Sequence, residues 1–206
     1  SSKLEYYDGN QWVNITSDTP DKQTGGTRGL FAGGLDPGVS DVIDYVNVDT
    51  TGNAIDFGNC LAGKQSMGAC ASRTRAIQLG GYTSTWENEI GYETIATTGN
   101  AVDFGNLTEN KNRVAGCGNQ TRGIAAGGGK SPSGSGTDVI EYITIAQTGN
   151  AVDFGNLTDA RMSAGAVASP TRGIFTGGYD DVPAATFMNI IDYITIDTLG
   201  NAADFG

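Results

Sequence analysis

The sequence predicts an all-β protein built from a tandem unit of four short antiparallel strands, and three observations carry that reading. The block Thr27-Arg28-Gly29-Leu30-Phe31-Ala32-Gly33-Gly34 returns at Thr74–Gly81, Thr121–Gly128 and Thr171–Gly178, placing Arg28, Arg75, Arg122 and Arg172 at steps of 47, 47 and 50 residues. A second block, Gly52-Asn53-Ala54-Ile55-Asp56-Phe57-Gly58, recurs at Gly99–Gly105, Gly149–Gly155 and Gly200–Gly206. Between them runs a β-branched stretch with a fixed tyrosine: Val42–Val46, Ile90–Thr94, Val139–Ile145 and Ile190–Ile196. Self-similarity at such a period marks a repeat architecture, and Val, Ile, Thr and Tyr between Gly and Asn punctuation favour strands over helices.

The elements follow in chain order. Residues 1–26 form an N-terminal hairpin and linker, with strands in Leu4–Val13 joined at the Asp8-Gly9 turn. Four units succeed it, at 27–72, 73–119, 120–169 and 170–206. Within a unit a small-residue strand, such as Arg113–Gly118, precedes the Thr-Arg strand that ends in Gly-Gly. The tyrosine strand follows, and a short strand ending in Asp-Phe-Gly closes the unit. Both alternate faces of the tyrosine strand are largely apolar, so it needs cover on two sides, as in stacked sheets. The hairpin supplies only a third and a fourth strand, leaving half a fifth unit. The pattern therefore predicts either that the natural chain runs on past Gly206 into Asn-Leu-Thr or that a partner completes the array.

Composition removes several function classes. The 206 residues carry a formal charge of −11 and no block of Lys or Arg, which argues against a phosphate-binding surface and hence nucleic acid. That acidity instead keeps a β protein with 32 glycines soluble. No apolar run approaches membrane-spanning length. The chain contains no histidine, which removes Ser-His triads and the imidazole base. No nucleotide loop or Asp-x-Asp-x-Asp-Gly calcium loop is present, and Asp180-Asp181 stands alone, so neither cofactor nor metal is expected. Cys70 and Cys117 stand five residues before a repeat arginine, where Val167 holds the same place, so that site asks for a small apolar side chain. Cys60 is a lone thiol.

Two sets of polar and aromatic residues compete as candidate sites. Arg28, Arg75, Arg122 and Arg172 occur once per unit, as do Asp56, Asp103, Asp153 and Asp204. Such residues are expected to brace the repeat, the arginines pairing with the aspartates. No polar cluster off the repeat pattern is apparent, and no catalytic residues are assigned. The loops between second and third strands do vary, and loops on a constant frame are where binding usually resides. Tyr82, Trp86, Tyr179 and Phe187, with Asp180, are the candidate ligand-binding residues, the aromatics suited to stacking on sugars or docking a protein.

A Gly-Gly doublet, then a tyrosine, then an aromatic after a turn resembles the kelch repeat. Phe57, Phe104, Phe154 and Phe205 stand where kelch units usually carry tryptophan; Trp12 alone keeps it. The near-identical copies of Thr-Arg-Gly-Ile-Phe, Val-Ile-Asp-Tyr and Asp-Phe-Gly-Asn-Leu-Thr resemble a kelch-like class found in tail and other structural proteins of marine, especially cyanobacterial, phages. That resemblance spans residues 27 to 206. It implies a β-propeller of four-stranded blades, with four repeats, an N-terminal half-blade and an incomplete ring. It also implies a non-enzymatic virion component, a tail, fibre or head appendage, located in the virion or outside the cell. Its implied partners are other virion proteins or copies of itself, and a host-surface glycan or protein. Two further readings share the fold: a secreted lectin or carbohydrate-active enzyme, and a purely architectural module.

Overall fold

The computed structural model describes residues 5–7, 11–14, 27–35, 37–182 and 184–206. Glu5–Tyr7 (β1) pairs antiparallel with Trp12–Asn14 (β2), forming the expected hairpin, whose Asp8-Gly9 turn lies outside the described residues, as does the linker at 15–26. Sheet I contains Arg28–Ala32 (β3), Val42–Asn47 (β4) and Ile55–Asn59 (β5). Sheet II contains Gly68–Ala71 (β6), Arg75–Tyr82 (β7), Trp86–Thr94 (β8) and Val102–Asn106 (β9). After the short strand Lys111–Asn112 (β10) comes Ala115–Gly118 (β11), then Arg122–Ala126 (β12) and Gly129–Lys130 (β13), and finally Thr137–Thr144 (β14) and Val152–Arg161 (β15). Of these, β11, β12, β14 and β15 make sheet III, and β10 pairs with β13. Sheet IV follows from Gly165–Ala168 (β16), Arg172–Thr176 (β17), Ile191–Thr195 (β20) and Ala203–Asp204 (β21), with Tyr179–Asp180 (β18) and Thr186–Phe187 (β19) as a hairpin between β17 and β20. The described residues are thus all-β, in antiparallel sheets of two to four strands ordered as meanders.

Sheets and sequence repeats are offset by one strand. The repeat that starts at Thr27 gives β3, β4 and β5 to sheet I and β6 to sheet II, so each repeat boundary laces two sheets together. Sheet I accordingly has three strands among the described residues.

The core lies between sheets. Ile77, Leu79, Ile90 and Phe104 of sheet II pack with Ala125, Ile143 and Ile145 of the sheet III region. Ile140 and Phe154 face the other way, toward Phe175, Ile194 and Ile196. Both faces of β14 are therefore covered, which explains why its sequence is apolar at alternate positions on either side. The outer strands are docked by main chain: the Gly99, Gly149 and Gly200 amides donate to the carbonyls of Phe57, Phe104 and Phe154 at 2.8, 2.7 and 2.9 Å. That approach dictates one glycine per repeat. A Cβ on Gly58, Gly105 or Gly155 would lie 2.3–2.4 Å from the carbonyl oxygen of the next sheet's glycine, and their φ of 143–151° disfavours any side chain.

The repeat arginines have partners other than those expected. Arg28, Arg75, Arg122 and Arg172 lie over the rings of Tyr45, Tyr92, Tyr142 and Tyr193 at 4.5–4.8 Å. Each tyrosine meets Phe57, Phe104, Phe154 or Phe205 edge-on, with centroids 5.9–6.2 Å apart. The first three guanidiniums also cross to the next sheet, donating to the carbonyls of Ile95, Ile145 and Ile196 at 2.9, 2.8 and 2.8 Å. None pairs with a repeat aspartate: Asp56, Asp103, Asp153 and Asp204 are exposed, and Asp103 and Asp204 instead accept from Gly105 and Gly206. The physical reason is register: Arg28 pairs with Asn47 and shares the face of Tyr45, whereas Asp56 pairs with Asp44 on the opposite face, and Arg122 and Asp153 are related in the same way. Arg122→Leu is expected to cost about 1–3 kcal/mol for the lost charged hydrogen bond and ring contact. Arg172→Leu, with no carbonyl to lose, should cost clearly less; urea titrations that rank them the other way would refute this assignment.

Candidate functional site

Ahead of sheets II, III and IV the residue three positions before the first strand makes a short bridge to the segment after Gly-Gly. Gln65 pairs with Tyr82, Asn112 with Gly129 and Met162 with Tyr179. Tyr82 and Tyr179 therefore occupy one repeat position, held in the third unit by Gly129, which packs closely against Asn112 and Met162. The next residue along, Ser66, Arg113 or Ser163, has φ of 54–56°, a left-handed conformation that non-glycine residues seldom adopt. These three are linked by main chain: the Arg113 amide donates to the Ser66 carbonyl at 2.7 Å, and the Ser163 amide to the Arg113 carbonyl at 3.0 Å. The recurrence makes the strain a feature of the repeat. What differs is that sheet III puts an arginine where its neighbours have serine.

Arg113 projects into a polar cleft of about 380 Å³ whose lining includes Ser66, Tyr82, Trp86, Asn112 and Asp181. Its Nη1 donates to the Tyr179 hydroxyl at 2.5 Å and lies 3.8 Å from Asp181, with the guanidinium 5.9 Å from the Tyr179 ring centre. The surrounding loops are braced by side chains. Thr83 and Thr85 both donate to Glu87 at 2.8 and 2.9 Å, closing the turn before Trp86. Asp180 accepts from the Gly136 amide at 2.8 Å, tying the loop of sheet IV to that of sheet III. The cleft thus offers half-buried aromatic faces, a charged donor, an amide, a hydroxyl and a carboxylate, a set suited to a polyhydroxylated ligand.

Of the five residues singled out from the sequence, Tyr82 and Trp86 line the cleft, Tyr179 holds Arg113, and Asp180 anchors its rim. Phe187 stands exposed on the β18–β19 hairpin, its ring tilted against that of Tyr179 with centroids 5.8 Å apart. Sequence reasoning missed Arg113, which it read only as the start of a strand. The signal was a single column, Ser66, Arg113 and Ser163, in which one unit breaks the pattern.

A larger cavity of about 530 Å³ lies between sheets I and II, along the side of β3 where β6, β11 and β16 flank their own sheets. Its wall contains a buried polar pair, Gln78 and Glu93, with the Gln78 amide donating to the carboxyl and Gln78 Oε1 left without a partner. The corresponding positions in sheets III and IV are Ala125 and Ile143, and Phe175 and Ile194. This is a polar cluster off the repeat pattern, which corrects the expectation that none exists. Burial pushes the Glu93 carboxyl up to about 7, opposed by its bond to Gln78. Cys60 lies near the pair and is also shifted upward by burial. Cys70 and Cys117 behave as packing residues, their thiols raised to about 12 by desolvation and their sulfurs 2.6 and 3.1 Å from where a Cβ on Gly123 or Gly173 would lie.

Among the described residues no group of three or more Cys, Asp or Glu side chains is arranged to hold a metal ion. No family model matches the chain, and no curated protein matches it.

Proposed function

We propose that the chain is a non-enzymatic appendage component of a virion, a kelch-like propeller whose loop face binds a host-surface glycan. The propeller reading is supported by the constancy of the sheet-to-sheet contact. The same arginine bond and the same glycine amide bond relate sheets I to II, II to III and III to IV, and a constant operation of this kind generates a ring or solenoid. The viral setting draws on the repeat's resemblance to phage structural proteins.

The glycan reading rests on one observation: Trp86 and Tyr82 share a cleft with Arg113, Asn112 and Ser66. Aromatic faces cover the apolar side of a sugar ring, while amide, hydroxyl and guanidinium groups meet its hydroxyls. Trp86→Ala and Arg113→Ala are each expected to lower glycan affinity about tenfold or more, corresponding to about 1.4 kcal/mol, with the far-ultraviolet spectrum unchanged. A glycan array that yields no ligand for the parent chain, or ligands bound equally by both variants, would defeat this reading. Phe187→Ala, outside the cleft, should leave binding intact and serves as the control.

A further inference from the structure

Arg113 lies at the entry to sheet III, with sheet II on one side and sheet IV on the other, and the protein uses only one edge of its guanidinium. Nη1 donates to the Tyr179 hydroxyl at 2.5 Å and to the Met162 sulfur at 3.4 Å. Asp181 stands 3.8 Å from the same nitrogen, beyond hydrogen-bond distance, and the two side chains are 40% and 45% exposed, so this ion pair is loose. Nε and Nη2 have no acceptor among the described residues, which leaves one edge of the fork open.

That edge is held in place. Tyr179 fixes the guanidinium by its hydroxyl and by the ring beside it, and the main chain at Arg113 is set by bonds to Ser66 on one side and Ser163 on the other. Arg113 is the only long side chain in that row. The cations nearest to the row are already paired: Lys64, Lys111 and Arg161, each two residues earlier, meet Glu89, Glu141 and Asp192. On a chain of net charge −11, the cleft that holds Trp86 and Tyr82 therefore contains one cation with unused donors.

We propose that the sugar taken by this cleft is acidic: a carboxylate-bearing residue of the uronic acid kind, whose carboxylate meets the open edge of Arg113 while its ring lies on Trp86. This rests on the glycan reading above and narrows it. A planar pair of N–H donors matches the two oxygens of a carboxylate, with charge on both sides, whereas a sugar hydroxyl meets the N–H groups singly and without charge. Holding the guanidinium beforehand reduces what the ligand must order on binding. Asp181 works against the acid, because a second carboxylate beside the first is repelled. Removing the charge of Asp181 should therefore sharpen the preference, a gain that a merely structural Arg113–Asp181 pair would not produce.

The test is a glycan array, followed by calorimetry on the full chain, with matched oligosaccharides of glucuronic, galacturonic and mannuronic acid. Each is paired with its carboxyl-reduced neutral counterpart and with a sulfated form of that counterpart. The parent should bind at least one acidic sugar about tenfold or more tighter than its neutral partner, and added salt should narrow the gap. Arg113→Gln should bring the acid-to-neutral ratio to about one, and Asp181→Asn should raise it about threefold over the parent. Equal binding of acidic and neutral sugars, preference for the sulfated form, or a parental ratio retained by Arg113→Gln would each overturn the proposal and leave the glycan reading standing. An array with no ligand, acidic or neutral, would defeat both together.

Discussion

Glu93→Gln should raise stability at pH 8 by about 3 kcal/mol and leave it within about 1 kcal/mol of the parent at pH 5. Glu93 is 2% exposed, and burial moves its carboxyl from 4.5 to about 7. A raised folded-state value means that the folded protein holds the proton more tightly than the unfolded chain. The carboxyl's contribution is therefore fully present below pH 4.5 and is lost as pH rises through about 7. At about 1.36 kcal/mol per pH unit, the span from 4.5 to 7 amounts to about 3 kcal/mol. Glutamine keeps a polar partner for Gln78 and has no charge to bury. Urea unfolding of both proteins at pH 5, 6, 7 and 8 checks the claim. A parent whose stability is flat over that range, or a variant that retains the parent's slope, would show that the carboxylate is solvated or paired in a way its surroundings do not suggest.

The same pair illustrates what the sequence could and could not disclose. Strand identity was legible because it is written four times: β-branched runs around Tyr45, Tyr92, Tyr142 and Tyr193, each bounded by glycine. The candidate aromatics were legible because they break a nearly constant frame. Partner choice was harder, since it depends on which sheet a side chain faces. Arg28 and Asp56 look like natural mates in a list of repeat residues, yet strand register puts them on opposite faces of sheet I, and the arginine lies on Tyr45 and reaches Ile95 of the next sheet instead. Gln78 and Glu93 lie fifteen residues apart on adjacent strands, and only strand register places them on one face. Arg113 was hidden differently, because its column contains two serines and one arginine, and only the fold turns that column toward the cleft.

Removing the guanidinium of Arg161 should cost about 3–5 kcal/mol, the largest loss expected of any single substitution considered. Lys64, Lys111 and Arg161 occupy one repeat position, at or just beyond the outer strand of one unit, and each meets an acid on the tyrosine strand that follows: Glu89, Glu141 and Asp192. The last pair joins sheet III to sheet IV and is fully buried on both sides, with Arg161 Nη2 donating to Asp192 Oδ2 at 2.8 Å. Asp192 also accepts from the Thr158 amide at 3.1 Å and its hydroxyl at 2.6 Å, so the carboxylate is held in place whether or not the cation is there. Arg161→Met therefore strands a charge rather than dissolving a pair, and that asymmetry is the source of the penalty. Two companion variants separate this cause from simple loss of packing. Arg161→Lys should recover most of the stability, because lysine serves at the same repeat position opposite Glu89 and Glu141 and Arg161 Nε makes no bond that would be missed. Arg161→Met combined with Asp192→Asn should be more stable than Arg161→Met alone, since asparagine can still accept from Thr158 without a charge to bury. If the double variant is no better than the single one, the penalty lies in the shape of the side chain and not in the uncompensated carboxylate.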